Sequence, residues 1–173
     1  MGVKLILPFG DPILRKPAKP VEALTPKVLK LLDDMAETLY AEPGRAGLAA
    51  PQVGILRQLV VMDCGDGLVE LINPEIVEAS GQQTGPEACL SFPGYSGNVT
   101  RHNAVKVKTQ TRQGRWVELQ AEGYLARCMQ HEIDHLHGVL YVDHVREQWL
   151  YEDRTGRRIR LMDVLKLSRS GQA

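Results

Sequence analysis

Apolar and polar positions along this chain follow a helical period at two places and a strand period between them. Thr25-Pro26 offers an N-cap and a residue suited to a first helical turn, after which Val28, Leu31, Leu32, Met35 and Leu39 recur at helical spacing. This predicts an amphipathic helix ending near Tyr40. Gln58–Asp63 and Leu68–Asn73 are short runs rich in Val, Ile and Leu on either side of Cys64-Gly65-Asp66-Gly67, a turn sequence, and predict a hairpin. Ala104–Thr109 and Trp116–Leu119 alternate on either side of Gln113-Gly114, a second antiparallel pair. From Gly123 the period is helical again, with Leu125, Met129 and Leu136 on one side and Gly138 placed to stop it. Strands in the middle and helices at separate ends predict an α+β fold: a single domain of antiparallel strands packed around a central helix, with an N-terminal helix, and not a doubly wound parallel sheet.

Composition narrows the class without changing this picture. With 173 residues, 43% of them hydrophobic, the chain can bury one sizeable core but is short for two. Its 21 basic and 21 acidic side chains cancel, so no global field favours DNA or an acidic membrane surface. No apolar run approaches the roughly 20 residues that span a bilayer. Leu5-Ile6-Leu7, closed by Pro8, is too short for a signal-peptide core, and Met1-Gly2 lacks the later Ser or Thr of an acylation signal because Ile6 stands there. Cys64, Cys89 and Cys128 are odd in number and widely spaced, which argues against a disulfide framework and for a reducing, cytoplasmic setting. The segment from Arg146 to Ala173 is locally basic, with Arg146, Arg154, Arg157, Arg158, Arg160, Lys166 and Arg169 against Glu147, Glu152, Asp153 and Asp163. A solvated face is the default reading of such a run.

Chemistry concentrates on the second helix, at His131-Glu132-Ile133-Asp134-His135. Residues four apart share a helix face, so His131 and His135 can direct imidazole nitrogens at one ion about 2 Å away. Glu132 lies beside them, where a general base is needed. A catalytic site of this kind normally has a third protein ligand. Long zinc-protease motifs place it six residues after the second histidine, but Tyr141 stands there. His137 points roughly to the opposite side of the helix, and His102 and His144 lie beyond the motif. Cys128, one turn before His131, and Cys89, in Glu87-Ala88-Cys89-Leu90-Ser91, both remain as candidates. Pro86, Pro93 and Gly94 around Cys89 predict irregular backbone.

Three segments together resemble the peptide deformylase signature: Gly47-Leu48-Ala49-Ala50-Pro51-Gln52, Glu87-Ala88-Cys89-Leu90-Ser91 and Gln130-His131-Glu132-Ile133-Asp134-His135-Leu136. Asp11-Pro12-Ile13-Leu14-Arg15-Lys16 and Ala18-Lys19-Pro20-Val21 add weaker similarity, and the resemblance runs to about Val145. It implies a catalytic domain over residues 1–145, with residues 146–173 as a basic extension of the same domain. It further implies that Cys89, His131 and His135 bind Fe2+, in a donor set that also suits Zn2+, Ni2+ or Co2+. Glu132 is then the acid–base group, with the Leu90 N–H and the Gln52 amide as donors to the developing oxyanion. Gly47 pairs with an extended substrate, Ala46 and Ala88 border it, and Glu87 with Arg101 braces the Cys89 loop. The implied substrate is the N-formyl-methionyl end of a nascent peptide in the bacterial cytoplasm, and the implied partners include neither DNA nor a membrane. The basic tail permits the ribosome contact that a C-terminal helix makes in bacterial relatives.

Two departures from the family pattern stand out. Gly44-Arg45-Ala46-Gly47 has one residue more between its glycines than the usual arrangement, and Ala46 replaces a larger side chain near the methionine pocket. Ala88 replaces a glycine and would be strained wherever φ had to be positive. The rival expectations are a zinc peptidase cutting internal amides and a metal domain without turnover.

Overall fold

The computed structural model describes residues 2–171; Met1, Gln172 and Ala173, the outer ends of the Met1-Gly2 start and of the basic tail, lie outside the described residues. In chain order the elements are α1 (Pro26–Tyr40), β1 (Gly47–Ala49), β2 (Leu59–Met62), β3 (Val69–Ser80), β4 (Gln83–Cys89), β5 (Phe92–Arg101), β6 (Ala104–Gln110), β7 (Trp116–Glu122), α2 (Gly123–His135), β8 (Trp149–Glu152), β9 (Arg158–Arg160) and α3 (Leu161–Arg169). Among the described residues the strands form an antiparallel five-stranded sheet, ordered β1-β2-β3-β6-β7, and a four-stranded one, ordered β4-β5-β8-β9.

Both predicted helices form for the reasons their sequences suggest. The Thr25 hydroxyl accepts the Val28 N–H at 3.3 Å, Pro26 occupies the first turn, and Leu32, Met35 and Leu39 bury the apolar stripe against one face of the large sheet. Burial of each such side chain stabilises by about 1.5–3 kcal/mol. The other face of the same sheet meets α2 through Val60, Met62, Leu71, Val105 and Val107. Strand β2 is therefore covered on both sides, which is why Leu59-Val60-Val61-Met62 reads as a continuous apolar run rather than an alternation. Helix α2 lies between the two sheets and is buried nearly all round, so the expected central helix is present.

The β2–β3 and β6–β7 hairpins appear where alternation predicts them, the second in unbroken register from Ala104↔Glu122 to Gln110↔Trp116. The backbone around Cys89 is more regular than predicted but not wholly so: it is the β4–β5 hairpin, with Cys89 the last residue of β4 and the expected irregularity confined to a register shift between Glu87 and Cys89. Strand β8 extends this sheet by pairing with β5, and β9 pairs with β8. No helix among the described residues is long and apolar enough to cross a membrane.

Arg15 ties the N-terminal segment to the C-terminal one. Its guanidinium donates to both Asp143 carboxylate oxygens at 2.6 and 3.0 Å, to the Gly138 carbonyl at 3.1 Å and to the Ser168 hydroxyl of α3 at 2.8 Å. Burial opposes ionisation of Asp143, but the Arg15 contacts and the Leu140 N–H outweigh it and hold the carboxyl below its ordinary range. A depressed folded pKa means that this contribution is complete above the unfolded value of about 4 and fades as pH falls through the lower folded value. We expect Asp143→Asn to cost about 2 kcal/mol near neutrality, or roughly 4–8 °C in Tm for a chain of this size. The difference from wild type in denaturant titrations should shrink below about pH 4; a difference independent of pH would rule out the ion pair as its source.

Candidate metal centre

Helix α2 presents His131, Glu132 and His135 inward, and the end of β4 brings Cys89 to the same place. One ligand atom from each of Cys89, His131 and His135 lies within 4.8 Å of the others, and all three residues are buried. The separation between Cys89 Sγ and His135 Nε2 is 3.5 Å. Bonds of about 2.3 Å to sulfur and about 2.0 Å to nitrogen at tetrahedral angles place their atoms about 3.5 Å apart, so the pair is spaced as two ligands of one ion. His131 Nδ1 is held by Glu87 Oε1 at 2.9 Å, which orients the ring and leaves Nε2 for a metal. Tyr141, at the position where a third histidine stands in long zinc-protease motifs, is buried and stacks on the His131 ring at 6.0 Å between centroids.

Glu87 is the hub of the surroundings. Arg101 donates to its two oxygens at 2.9 and 2.8 Å, and Arg127 to Oε2 at 2.6 Å. Burial alone would raise the Glu87 pKa; the Arg101 and His131 hydrogen bonds reverse this and bring it to about 2. Glu132 has no such partners. Its Oε1 is buried without a hydrogen bond, and burial pushes its pKa up to about 7, with Glu87 adding to the rise and His131 opposing it. Burial also penalises both protonated imidazoles, but Glu132, Cys89 and Glu87 lift the pKa of His131, whereas His135, facing His131 and Arg101, is pushed down.

The Gln52 amide is oriented by its own carbonyl, which accepts the Ala49 N–H at 3.0 Å and turns the NH2 toward Ser91 Oγ at 3.1 Å and Cys89 Sγ at 3.5 Å. Leu90 occupies the turn between β4 and β5, and with Ala46, Gly47, Ala88 and Glu132 it borders a cavity of about 410 Å³. Gly47 is packed so closely that an added Cβ would lie 2.6 Å from Glu132 Oε2. Strand β1, which begins at Gly47, pairs with β2 on one side only.

The departures resolve in physical terms. Among the described residues the one non-glycine with positive φ is Asn73, so Ala88 sits in backbone that any residue tolerates. Arg45 folds back onto the end of α1, donating to the Thr38 carbonyl and pairing with Glu42 at 3.2 Å, so its bulk does not enter the cavity. Of the two cysteine candidates, Cys89 joins the histidine cluster and Cys128 does not; the neighbouring Cys64 thiol and burial push the Cys128 pKa up. His102, His137 and His144 are exposed, and His144 hydrogen-bonds Asp134 at 3.0 Å. Arg127 was not among the predicted site residues; its place one turn before His131 on the same helix puts it on the ligand face, which is the signal the sequence carries for it.

Comparison with known proteins agrees over most of the chain. The polypeptide deformylase family profile matches residues 3–149. The peptide deformylase of Caldanaerobacter subterraneus subsp. tengcongensis is 55% identical over 145 residues, 84% of this chain and 91% of that protein. That of Carboxydothermus hydrogenoformans is 51% identical over 143 residues, covering 83% and 93%. The crystal structure of peptide deformylase from Thermotoga maritima superposes with a TM-score of 0.82 at 46% identity, covering 85% of this chain and 100% of that one. With the fold, the ligand cluster and these similarities in agreement, the chain belongs to the peptide deformylase family.

Proposed function

We propose that Cys89, His131 and His135 hold iron(II), and that Glu132 moves the protons of the hydrolysis beside them. As a peptide deformylase the chain is a hydrolase that removes the N-formyl group from the N-terminal methionine of newly made polypeptides and releases formate. One observation carries the assignment of roles: a buried carboxylate oxygen of Glu132 without a partner, in the cavity that Cys89 and His131 line and beside the cluster these two form with His135. The thiolate and two imidazoles suit iron(II), and equally zinc, nickel or cobalt. When bound, the ion supplies Lewis acidity and lowers the pKa of water.

Each remaining demand of the reaction has a residue. Glu132 takes the proton of the attacking water and delivers it to the leaving amine nitrogen. Charge developing on the formyl oxygen is met by the Leu90 N–H and the Gln52 amide, whose orientation is fixed before substrate arrives. The unpaired edge of β1 at Gly47 receives the peptide as an added strand, reading main chain rather than sequence. Ala46 and Ala88, small side chains on the cavity wall, leave room for the methionine side chain. Glu87 and Arg101 hold His131 and the ligand strand in place. We assign residues 1–145 as the catalytic domain and 146–173 as an extension of it. The exposed Arg154, Arg157, Arg158 and Arg160 support a ribosome-facing role for that extension in the bacterial cytoplasm.

Formyl-Met peptides should release formate, whereas unformylated peptides should stay intact; internal cleavage of the latter alone would reveal a peptidase. Glu132→Gln should retain the metal and lose at least about 100-fold in kcat, and an unchanged rate would remove Glu132 from the proton transfers. Metal analysis should find Cys89→Ser depleted and Cys128→Ser loaded, with the reverse result moving the thiolate to α2. For Gly47→Ala we expect intact metal content and a fall of about 100-fold in kcat/KM, since the new methyl must displace the Glu132 carboxylate or the strand edge. Near-normal turnover in that variant would show that the close approach is dispensable.

A further inference from the structure

Arg127 is the most heavily engaged buried cation near the site, and the proton chemistry does not use it. Its side chain is 7% exposed. From α2 it reaches three alternate residues on one face of β4: Nε donates to Gln83 Oε1 at 3.2 Å, Nη2 to the Gln83 carbonyl at 3.4 Å, and Nη1 to the Gly85 carbonyl at 3.3 Å and Glu87 Oε2 at 2.6 Å. Nη1 also meets the Val99 carbonyl of β5 at 3.0 Å.

The position of these contacts matters more than their number. Strand β4 ends in the thiolate ligand, and α2 carries the two imidazoles. The β4–β5 ladder shifts register between Glu87 and Cys89 and resumes at Cys89↔Phe92, so the sulfur follows directly on an irregular step of the strand. A rigid, planar guanidinium four residues before His131 links the ligand helix to the strand just ahead of that irregularity. Charge is paired at the same time: Arg127 and Arg101 share Glu87, and Arg101 also meets Asp134.

We propose that Arg127 is a positioning residue of the metal centre, setting the distance between the Cys89 strand and the His131 helix through its contacts with Gln83, Gly85, Glu87 and Val99. The proposal rests on the assignment of Cys89, His131 and His135 as the ligands. Lysine can neutralise Glu87 but, as a point charge, cannot also satisfy Gln83 and Val99.

Cobalt-loaded protein gives a test independent of turnover. Wild type, Arg127→Met, Arg127→Lys and Gln83→Ala would each be loaded with Co2+, their thiolate-to-cobalt charge-transfer and d–d bands recorded, and cobalt release to excess chelator timed. Arg127→Met should release the ion about 10–100-fold faster with altered bands, Arg127→Lys should remain clearly impaired, and Gln83→Ala should show a smaller change in the same direction. If Arg127→Met does not fold, Gln83→Ala and Arg127→Lys decide. Variants that unfold at lower temperature yet keep the wild-type bands and release rate would overturn the proposal. So would Arg127→Lys indistinguishable from wild type, because one positive charge would then suffice. A wild-type protein that takes up no cobalt would sink the ligand assignment and this inference together, whereas normal wild-type uptake with unaltered variants sinks the inference alone.

Discussion

An ionised carboxylate in a protein interior is tolerated only where charge and hydrogen bonds replace the lost water, and Glu87 imposes that condition on the whole site. Its side chain is 4% exposed, and its oxygens are taken by Arg101 from β5, Arg127 from α2 and the Nδ1 of His131. Two of these partners come from α2 and one from β5, so satisfying one carboxylate docks the β4–β5 hairpin onto the central helix. The ligand geometry follows from that docking. His131 is oriented by Glu87 itself, and Cys89 lies two residues further along the strand that Glu87 anchors.

This polar seam explains what the sequence disclosed and what it concealed. Periodicity finds α1, α2 and the β2–β3 and β6–β7 hairpins because their inward positions are apolar. Strand β4 also alternates, with Gln83, Gly85 and Glu87 turned inward and Thr84, Pro86 and Ala88 outward, but its inward side chains face Arg127 rather than a hydrophobic core. With Gln, Gly and Glu inward and Thr, Pro and Ala outward, the alternation lacks the apolar inward face that periodicity detects, and Pro86, Pro93 and Gly94 add the appearance of a loop. The same concealment affected the site. His131, Glu132 and His135 are legible from spacing on a single helix, whereas the choice of Cys89 over Cys128 depends on a contact between distant segments and was reached only through family resemblance. Arg127 was legible by spacing but carried no expected chemistry.

Burial of α2 on nearly every side has a second consequence, at the edge strand β1. Because Glu132 is pressed toward β1, the strand that meets it must lack a side chain, and Gly47 supplies that gap without needing an unusual φ. The requirement there is steric, not conformational. Beyond Gly47 the loop is free to vary so long as its bulk stays out of the cavity. Arg45 meets that condition by turning back to the C-terminal carbonyls of α1, where a positive charge is also favoured by the helix dipole.

The ligand residues come from different structural blocks. Helix α2 packs its apolar face with the large sheet, through Met129, Ile133 and Leu136. Cys89 belongs to a separate cluster with Phe9, Tyr141, Leu150 and Val164, built from the N-terminal segment, the second sheet and α3. The centre therefore sits where two hydrophobic cores meet, and the buried charges of Glu87, Arg101 and Arg127 are paired with one another at that boundary. It also gives the C-terminal segment a structural task that no motif announces. Leu150 and Val164 pack in the same core as the sulfur ligand, so β8 and α3 support Cys89 while the histidines depend on the other core, and the Glu87 seam is what keeps the two in register.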